Sequence, residues 1–233
     1  MFIYILTMKI QIFTVNPFGV NAFILWNRAG DGILVDPSVS NTAEQSRLAQ
    51  FIKDNGITVK RVVNTHLHLD HVLGNAFAER AFGIKAEAHE EDIFLLDLQE
   101  EQSDMYGLPC EEPAPAIQDF LAEGDAVCVG SGHDEIALQV LHIAGHSPGG
   151  IALYCENPGE VIINGQSATN VTHLLFSGDI LFAGGRGRSD LFGGDDQALV
   201  TGIKNKLLTL HASTLVLPGH GPATTIENEK NWF

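Results

Sequence analysis

The segment Thr65-His66-Leu67-His68-Leu69-Asp70-His71 places four possible metal ligands within six positions. Along an extended backbone successive side chains point to opposite sides, so His66, His68 and Asp70 are expected on one side. A turn at Asp70 would then bring His71 in from another direction. Neutral imidazoles and carboxylates are the usual ligands of Zn²⁺ and neighbouring first-row metals. Because burying four such groups for packing alone is costly, the segment predicts a metal site.

Three later segments each place one more possible ligand after an apolar, strand-like run. They are Gly145-His146-Ser147-Pro148-Gly149, Ser177-Gly178-Asp179 and Gly219-His220-Gly221. Loops at strand ends are anchored by a rigid sheet, yet their side chains remain free to converge. We therefore expect one site formed by seven side chains: His66, His68, Asp70, His71, His146, Asp179 and His220.

Together these motifs resemble those of the metallo-β-lactamase superfamily: HxHxDH, a later GH, a strand-end GD and a C-terminal GH. The resemblance extends from Leu34-Val35-Asp36-Pro37 to His220. It implies an α/β fold, specifically an αββα four-layer sandwich of two mixed β-sheets with flanking helices and metals at one sheet edge. The length of 233 residues suits one core, so we expect a single domain over residues 1–233.

The resemblance also implies how the ligands are divided between two divalent metal ions. One metal would be held by His66, His68 and His146. The second would be held by Asp70, His71 and His220, with Asp179 bridging both. Zinc is the first choice for these ions, and iron and manganese are the alternatives.

Asp36 matches a family position behind the ligands and has two interpretations. It could orient a ligand by accepting a hydrogen bond, or it could be a simple turn or cap residue. The other histidines lie outside the motifs and are interpreted as surface or structural side chains: His89, His133, His142, His173 and His211.

Such a site would catalyse hydrolysis without a serine or cysteine nucleophile. Two metals about 3.5–4 Å apart can lower the pKa of a shared water from 15.7 to about 7. Asp70 is the candidate catalytic residue, because its carboxylate could align the hydroxide and take its proton. No glycine-rich phosphate loop or nucleotide fingerprint competes with this interpretation.

Within the superfamily, several details favour the glyoxalase II-like thioesterases. The β-lactamases proper usually replace His71 and use a cysteine where Asp179 stands, and flavin-linked di-iron members usually carry a carboxylate where His68 stands. Residues 182–195 and 221–231 are similar to glyoxalase II-type enzymes, the latter to their short, single-domain members. The first hypothesis is therefore hydrolysis of S-D-lactoylglutathione or a related hydroxyacyl thioester, a small-molecule substrate.

Two features bear on substrate recognition in this hypothesis. Long glyoxalase II enzymes append a helical segment that contacts glutathione, whereas only residues 221–233 follow His220 here. Glutathione specificity is therefore less firmly implied than thioester cleavage. Arg188 matches the arginine of a GRxD pattern and has two interpretations, contact with an anionic substrate or pairing with Asp190.

Two other hypotheses remain open. A persulfide dioxygenase would bind a single iron through His66, His146 and Asp179 and would consume oxygen. A non-catalytic, metal-stabilised module would keep the fold without the reaction.

Composition excludes some partners. The chain has 29 acidic and 13 basic residues and a formal charge of −16, which would repel nucleic acid and anionic membranes. Its three cysteines form no CxxC pair, which favours a reducing cytoplasm. Residues 1–8 are a possible extra N-terminal segment, with Met8 as an alternative start, and their apolar run is too short to span a bilayer.

Local patterns predict further elements. Thr42 with Gln45 forms a capping-box pattern that predicts Thr42 as a helix N-cap. Helices are also expected over residues 73–82, ending at Gly83, and over residues 197–210. Residues 157–173 are interpreted either as a surface hairpin or as a loop that shapes the entrance to the site.

Overall fold

The structure described here is a computed structural model and covers residues 6–233. The predicted extra segment at residues 1–8 therefore lies largely outside the described residues, although Thr7 and Met8 belong to the first strand. The strands, in chain order, are β1 (Thr7–Val15), β2 (Val20–Trp26), β3 (Asp31–Val35), β4 (Thr58–Val63), β5 (Ala86–Ala88), β6 (Asp119–Phe120), β7 (Ala126–Val129), β8 (Ile136–His142), β9 (Ile151–Glu156), β10 (Glu160–Ile163), β11 (Gln166–Ala168), β12 (His173–Gly178), β13 (Leu181–Phe182), β14 (Gly185–Arg186), β15 (Leu215–Pro218) and β16 (Thr224–Thr225).

The helices are short, apart from the first. They are α1 (Thr42–Asp54), α2 (Leu69–Val72), α3 (Asn75–Phe82), α4 (Phe94–Asp97), α5 (Gln99–Tyr106), α6 (Asp196–Gly202) and α7 (Ile226–Glu229). Single 3₁₀ turns cover Glu90–Asp92, Gly132–Asp134 and Lys230–Trp232, and a π-helical turn covers Ile203–Leu207. In the described range, no helix is both long and apolar enough to cross a bilayer.

The strands form two mixed sheets, as predicted. The first has the order β11-β10-β1-β2-β3-β4-β5-β6, with parallel pairs β1–β10, β3–β4, β4–β5 and β5–β6. The second has the order β16-β15-β12-β9-β8-β7, in which β12–β15 is the parallel pair. Strands β13 and β14 form a small separate hairpin.

The sheets pack face to face, and helices cover their outer faces. Between the sheets, the buried rings of Phe23 (β2) and Phe176 (β12) meet edge to face, with centroids 5.1 Å apart. Leu48 and Ile52 of α1 join the apolar cluster outside the first sheet, and Leu199 of α6 joins the cluster outside the second. Every residue of β2 is buried, because both faces of that strand are covered. The predicted αββα arrangement is confirmed.

The predicted N-cap of α1 is wrong by one position. Asn41, rather than Thr42, caps the helix, and its side chain accepts hydrogen bonds from the backbone N–H groups of Ala43 and Glu44. The Glu44 carboxylate accepts in turn from the N–H of Ser40. Asparagine is at least as good an N-cap as threonine, so the helix is capped one residue earlier.

The helix predicted over residues 73–82 begins only at Asn75, because Gly74 separates it from α2. A Cβ on Gly74 would lie 1.8 Å from the carbonyl oxygen of Pro37. The backbone is therefore packed directly against the loop that follows β3. The predicted end at Gly83 is confirmed, with φ at 72°, a left-handed conformation that glycine adopts without strain.

The helix predicted over residues 197–210 is also shorter. It begins after Asp195, whose side chain accepts from the N–H of Ala198, and it changes to the π-helical turn after Gly202. A Cβ on Gly202 would lie 2.6 Å from Ile143 Cγ2, so the helix packs closely on the second sheet at this point.

Of the two interpretations of residues 157–173, the structure favours the surface hairpin. Strands β10 and β11 pair across Asn164 and Gly165, both at positive φ. The hairpin extends the first sheet through parallel pairing of β10 with β1.

Candidate metal centre

The seven predicted side chains converge at one edge of the sandwich, where several strands end. His66 and His68 lie on the loop after β4, and Asp70 and His71 lie in α2. The remaining positions follow other strands: His146 lies between β8 and β9, Asp179 directly after β12, and His220 after β15.

The first group consists of three buried imidazoles, those of His66, His68 and His146. His146 Nε2 lies 2.9 Å from His68 Nδ1 and 3.1 Å from His66 Nε2. These three nitrogens come from loops nearly 80 residues apart in sequence, as |i−j| for His68 and His146 is 78. They form the set expected for the first metal.

The second group consists of Asp70, His71 and His220. Asp70 Oδ2 lies 3.3 Å from His220 Nε2 and 3.9 Å from His71 Nε2, and the two imidazole nitrogens are 3.4 Å apart. The expectation that Asp70 shares a side with His66 and His68 is wrong. Helix α2 already begins at Leu69, and this rotates the carboxylate toward the second group.

Asp179 lies between the groups. Its Oδ1 is 3.3 Å from His71 Nε2, and its Oδ2 is 3.4 Å from His220 Nε2 and 3.7 Å from His146 Nε2. One carboxylate therefore faces nitrogens of both groups, as a bridging ligand would. A Cβ on Gly219 would lie 2.3 Å from Asp179 Oδ1, so glycine leaves the space that this carboxylate occupies.

The outer ring nitrogens show which inner nitrogens carry lone pairs. Nδ1 of His146 lies 2.7 Å from the carbonyl oxygen of Arg188, and Nδ1 of His220 lies 3.1 Å from that of Phe18. Nδ1 of His71 lies 3.0 Å from Asp36 Oδ2. Since a carbonyl or carboxylate oxygen only accepts, each Nδ1 carries a proton, and Nε2 is the nitrogen that each ring can offer to a metal.

The same reasoning applies to His66. The hydroxyl of Thr65 donates to Asp36 Oδ2 at 2.7 Å, so its oxygen accepts from His66 Nδ1 at 3.2 Å. The lone pairs on Nε2 of His66 and His146 then face each other across 3.1 Å. Two lone pairs at this distance repel each other unless a cation lies between them. The donor set and its tautomers therefore fit a bound metal.

Electrostatics agrees with this conclusion. Burial lowers the pKa of His66 well below its ordinary value and that of His68 to about 3, with neighbouring histidines adding to the effect. Both rings are thus neutral at neutral pH, which is the form in which an imidazole can bind a metal. At His71, burial would lower the pKa, but the carboxylates of Asp179, Asp36 and Asp70 outweigh it and raise the pKa. These three carboxylates therefore favour a positive charge beside His71, carried by a proton or by a metal ion.

Asp36 is in contact with the ligand loop, as the first of its two interpretations requires. Its carboxylate accepts from the N–H and the hydroxyl of Thr65, both at 2.7 Å, and from Nδ1 of His71. Its backbone has φ at 46°, in the left-handed region that aspartate tolerates better than most residues.

Two polar residues of the site were missed by sequence analysis. Asn21 Nδ2 donates to the carbonyl oxygens of Pro218 and Gly221 and so holds the loop that carries His220. Asp92 accepts hydrogen bonds from the loops of both His66 and His146. It closes the acidic run Glu90-Glu91-Asp92, a pattern typical of a solvated turn, and a lone asparagine in a strand carries no distinguishing signal either.

A cavity of about 330 Å³ opens over the two groups. Its lining combines possible ligands with apolar and aromatic side chains: Phe18, His68, Asp70, Tyr106, His146, Asp179, Phe182, Arg188, Leu191 and His220. Arg188 pairs with Asp190 through two hydrogen bonds of 2.7 and 2.8 Å, so the predicted pairing is present. Arg188 also reaches the cavity, where contact with a substrate stays a prediction.

The five histidines interpreted as surface or structural side chains do not line this cavity. The rings of His89 and His142 stack with centroids 3.9 Å apart, and Nε2 of His142 donates to the carbonyl oxygen of Pro148 at 2.8 Å. With Glu91 they form a further group whose geometry could hold a metal. The ring planes are only 15° apart, so the two rings are packed face to face, and a packing role suits them better.

Comparison with known proteins gives consistent similarities. The family model of the metallo-β-lactamase superfamily matches residues 15–220. The chain is 32% identical to hydroxyacylglutathione hydrolase GloC of Haemophilus influenzae, over 96% of this chain and 95% of that protein. Among solved structures, a di-iron-bound form of TTHA1623 matches with a TM-score of 0.75 and 30% identity, over 94% and 96% of the two chains. The B3 metallo-β-lactamase BLEG-1 matches with a TM-score of 0.74 and 28% identity, over 95% and 96%.

Proposed function

This chain belongs to the metallo-β-lactamase superfamily as a metallo-hydrolase, and from this premise we propose that it hydrolyses hydroxyacyl thioesters, with S-D-lactoylglutathione or a close relative as substrate. The observation that carries the proposal is the similarity to hydroxyacylglutathione hydrolase GloC over nearly the full length of both proteins. The convergence of seven candidate ligands beneath one cavity supports it.

We further propose that the site holds two divalent ions. His66, His68 and His146 would hold one, Asp70, His71 and His220 the other, and Asp179 would contact both. Nitrogen and carboxylate donors suit zinc, and the di-iron form of TTHA1623 makes iron the first alternative. When bound, such a pair supplies Lewis acidity and makes a water nucleophilic at neutral pH.

The protein's own groups prepare the reaction. Burial would raise the pKa of Asp70, but His71 and His220 outweigh it and lower the pKa, so the carboxylate is ionised at neutral pH. We assign to Asp70 the alignment of the attacking water and the acceptance of its proton. The water oxygen bonds to the carbonyl carbon, the bond between that carbon and sulfur breaks, and the sulfur leaves as a thiolate while the acyl group leaves as a carboxylic acid.

The rest of the cavity orients the substrate. Phe18, Phe182 and Leu191 form an apolar wall that displaces water from the acyl group, and Tyr106 stands at the same wall. Arg188 is the only Lys or Arg among the cavity-lining residues, and its exposed guanidinium suits a carboxylate of the thiol portion.

The direct test is thioester hydrolysis by protein purified with its native metal and by zinc-reconstituted protein. Wild type should release thiol from S-D-lactoylglutathione, and Asp70→Asn should reduce kcat/KM by about 100-fold or more. Asp31→Asn, at a half-exposed pair with Lys60, serves as the control and should retain full activity.

Other outcomes would contradict the proposal in different ways. One iron per chain together with oxygen uptake and sulfite production would identify a persulfide dioxygenase. Hydrolysis of β-lactams with no thioester cleavage would identify an antibiotic-degrading enzyme similar to BLEG-1. Equal inactivity of wild type and Asp70→Asn on a broad panel would favour the non-catalytic module.

A further inference from the structure

Asp92 is a buried carboxylate that belongs to none of the ligand motifs, yet it contacts two of them. It lies in the 3₁₀ turn Glu90–Asp92 and is 0% exposed. Its Oδ2 accepts from the N–H of Leu67 at 3.2 Å and from the hydroxyl of Ser147 at 2.8 Å, and its Oδ1 accepts from the N–H of Gly149 at 2.5 Å.

Each hydrogen-bond partner of Asp92 lies next to, or close to, a ligand of the first group. Leu67 stands between His66 and His68, and Ser147 directly follows His146. The single carboxylate therefore joins the two loops that supply all three imidazoles. None of its partners belongs to the second group.

The contact between Asp92 and the loop at Gly149 leaves no space for a side chain. A Cβ on Gly149 would lie 2.8 Å from both Asp92 Cγ and Asp92 N, so the loop backbone is packed directly against the carboxylate. Within residues 6–233, Asp92 forms no ion pair, and its charge is met by three neutral donors. A buried carboxylate held in this way is costly, so a role beyond packing would account for its presence.

We infer that Asp92 is a positioning residue for the first metal alone, which makes the two metal positions separable by mutation. The inference rests on the proposed two-metal site but not on the substrate. Asp36 provides the contrast, because it contacts His71 of the second group directly and reaches His66 of the first through Thr65. Loss of Asp92 should therefore weaken one metal, and loss of Asp36 should weaken both.

Asp92→Asn is the informative variant. All three partners donate hydrogen bonds, so both oxygens of Asp92 must accept. In the position of Oδ1, an amide nitrogen would place a donor against the N–H of Gly149. In the position of Oδ2, it would place a donor against the N–H of Leu67, because only the hydroxyl of Ser147 can turn to accept. The shape of the side chain is kept while the link between the loops is weakened.

The experiment is a zinc titration of metal-free full-length protein against a competing chelator, with metal content measured by elemental analysis. Wild type should bind two ions. In Asp92→Asn, the affinity for one ion should fall by about 10- to 100-fold, while that for the other stays within about twofold. Asp134→Asn is the matched control, because Asp134 also accepts from two backbone N–H groups, those of Arg28 and Ala29, far from the ligand loops.

The Asp92→Asn substitution in a second parent protein, the His146→Ala variant, identifies the ion whose affinity falls. In His146→Ala, which already lacks a ligand of the first group, adding Asp92→Asn should leave the affinity for the remaining ion unchanged. Ser147→Ala removes a single donor and should weaken the same ion by a smaller factor. This milder variant keeps the test valid if Asp92→Asn folds poorly.

Three results would overturn the inference: equal weakening of both ions by Asp92→Asn, no weakening of either, or a further loss in the His146→Ala background. If wild type binds only one ion, Asp92→Asn must still weaken that ion at least tenfold, or the inference fails. Because the titration uses zinc and no substrate, failure of the proposed thioesterase activity would be seen separately.

Discussion

His71 and Asp36 form a fully buried hydrogen bond, with Nδ1 of the imidazole 3.0 Å from Oδ2 of the carboxylate. The bond keeps the proton on Nδ1 and leaves Nε2 directed at Asp179 and His220. A buried carboxylate behind a histidine thus decides which ring nitrogen is available as a ligand.

This relationship predicts the effect of Asp36→Asn. The amide nitrogen would face either the N–H of Thr65 or the donors of Thr65 and His71, so one buried donor loses its acceptor. We expect the affinity for both zinc ions to fall by about 10- to 100-fold, as measured by competition with a chelator. Unchanged affinity would show that the hydrogen bond does not control the ligand.

Arg188 and Arg186 provide a matched pair for substrate binding. Both form half-exposed or exposed ion pairs, with Asp190 and Asp196 respectively, but only Arg188 lines the cavity. We expect Arg188→Ala to raise KM for a glutathione thioester several-fold with little change in kcat, and Arg186→Ala to leave KM unchanged. A neutral thioester should show no effect in either variant, and an equal effect of both substitutions would contradict substrate contact.

Replacing either of two tyrosines by phenylalanine is expected to change stability, in opposite directions. The Tyr106 hydroxyl is buried without a hydrogen-bond partner among the described residues, so Tyr106→Phe should raise the free energy of unfolding by about 1 kcal/mol. The Tyr154 hydroxyl lies 2.7 Å from His173 Nδ1, so Tyr154→Phe should lower it by about 1 kcal/mol. Chemical denaturation of the metal-free proteins measures both, and destabilisation by Tyr106→Phe would reveal a hydrogen bond that the structure lacks.

Adding one methyl group at Gly74 is expected to lower the stability of the protein strongly. A Cβ there would lie 1.8 Å from the carbonyl oxygen of Pro37, so the loop after Asp36 or helix α2 must move. Gly74→Ala should therefore lower the free energy of unfolding by at least about 1–3 kcal/mol, measured by denaturation. Gly185→Ala is the control, because a Cβ on Gly185 meets nothing within 4 Å and should change stability little.

Local patterns predicted well the elements whose causes are local. Gly83 ends α3 because the backbone is left-handed at that position, a conformation that glycine adopts without strain. The prediction for the start of the same helix was wrong by two positions, and the backbone at Gly74, where the two helices are separated, packs against Pro37, a residue distant in sequence. The shift of the N-cap from Thr42 to Asn41 is a smaller error of another kind, since two good capping residues stand side by side and sequence does not rank them.

The identity of the candidate ligands follows from sequence alone, because imidazole and carboxylate chemistry belongs to the side chain wherever it lies. Their division into groups follows from folding. Helix α2 starts one residue before Asp70 and turns that carboxylate to His220, and packing brings His146 within 3.1 Å of His66 across 80 positions. Asp92 shows most clearly what sequence does not predict. Its acidic neighbours predict a solvated turn, and only the close approach of two loops makes it a buried acceptor. The reason is that distances between remote segments are set by how the sheets and helices pack.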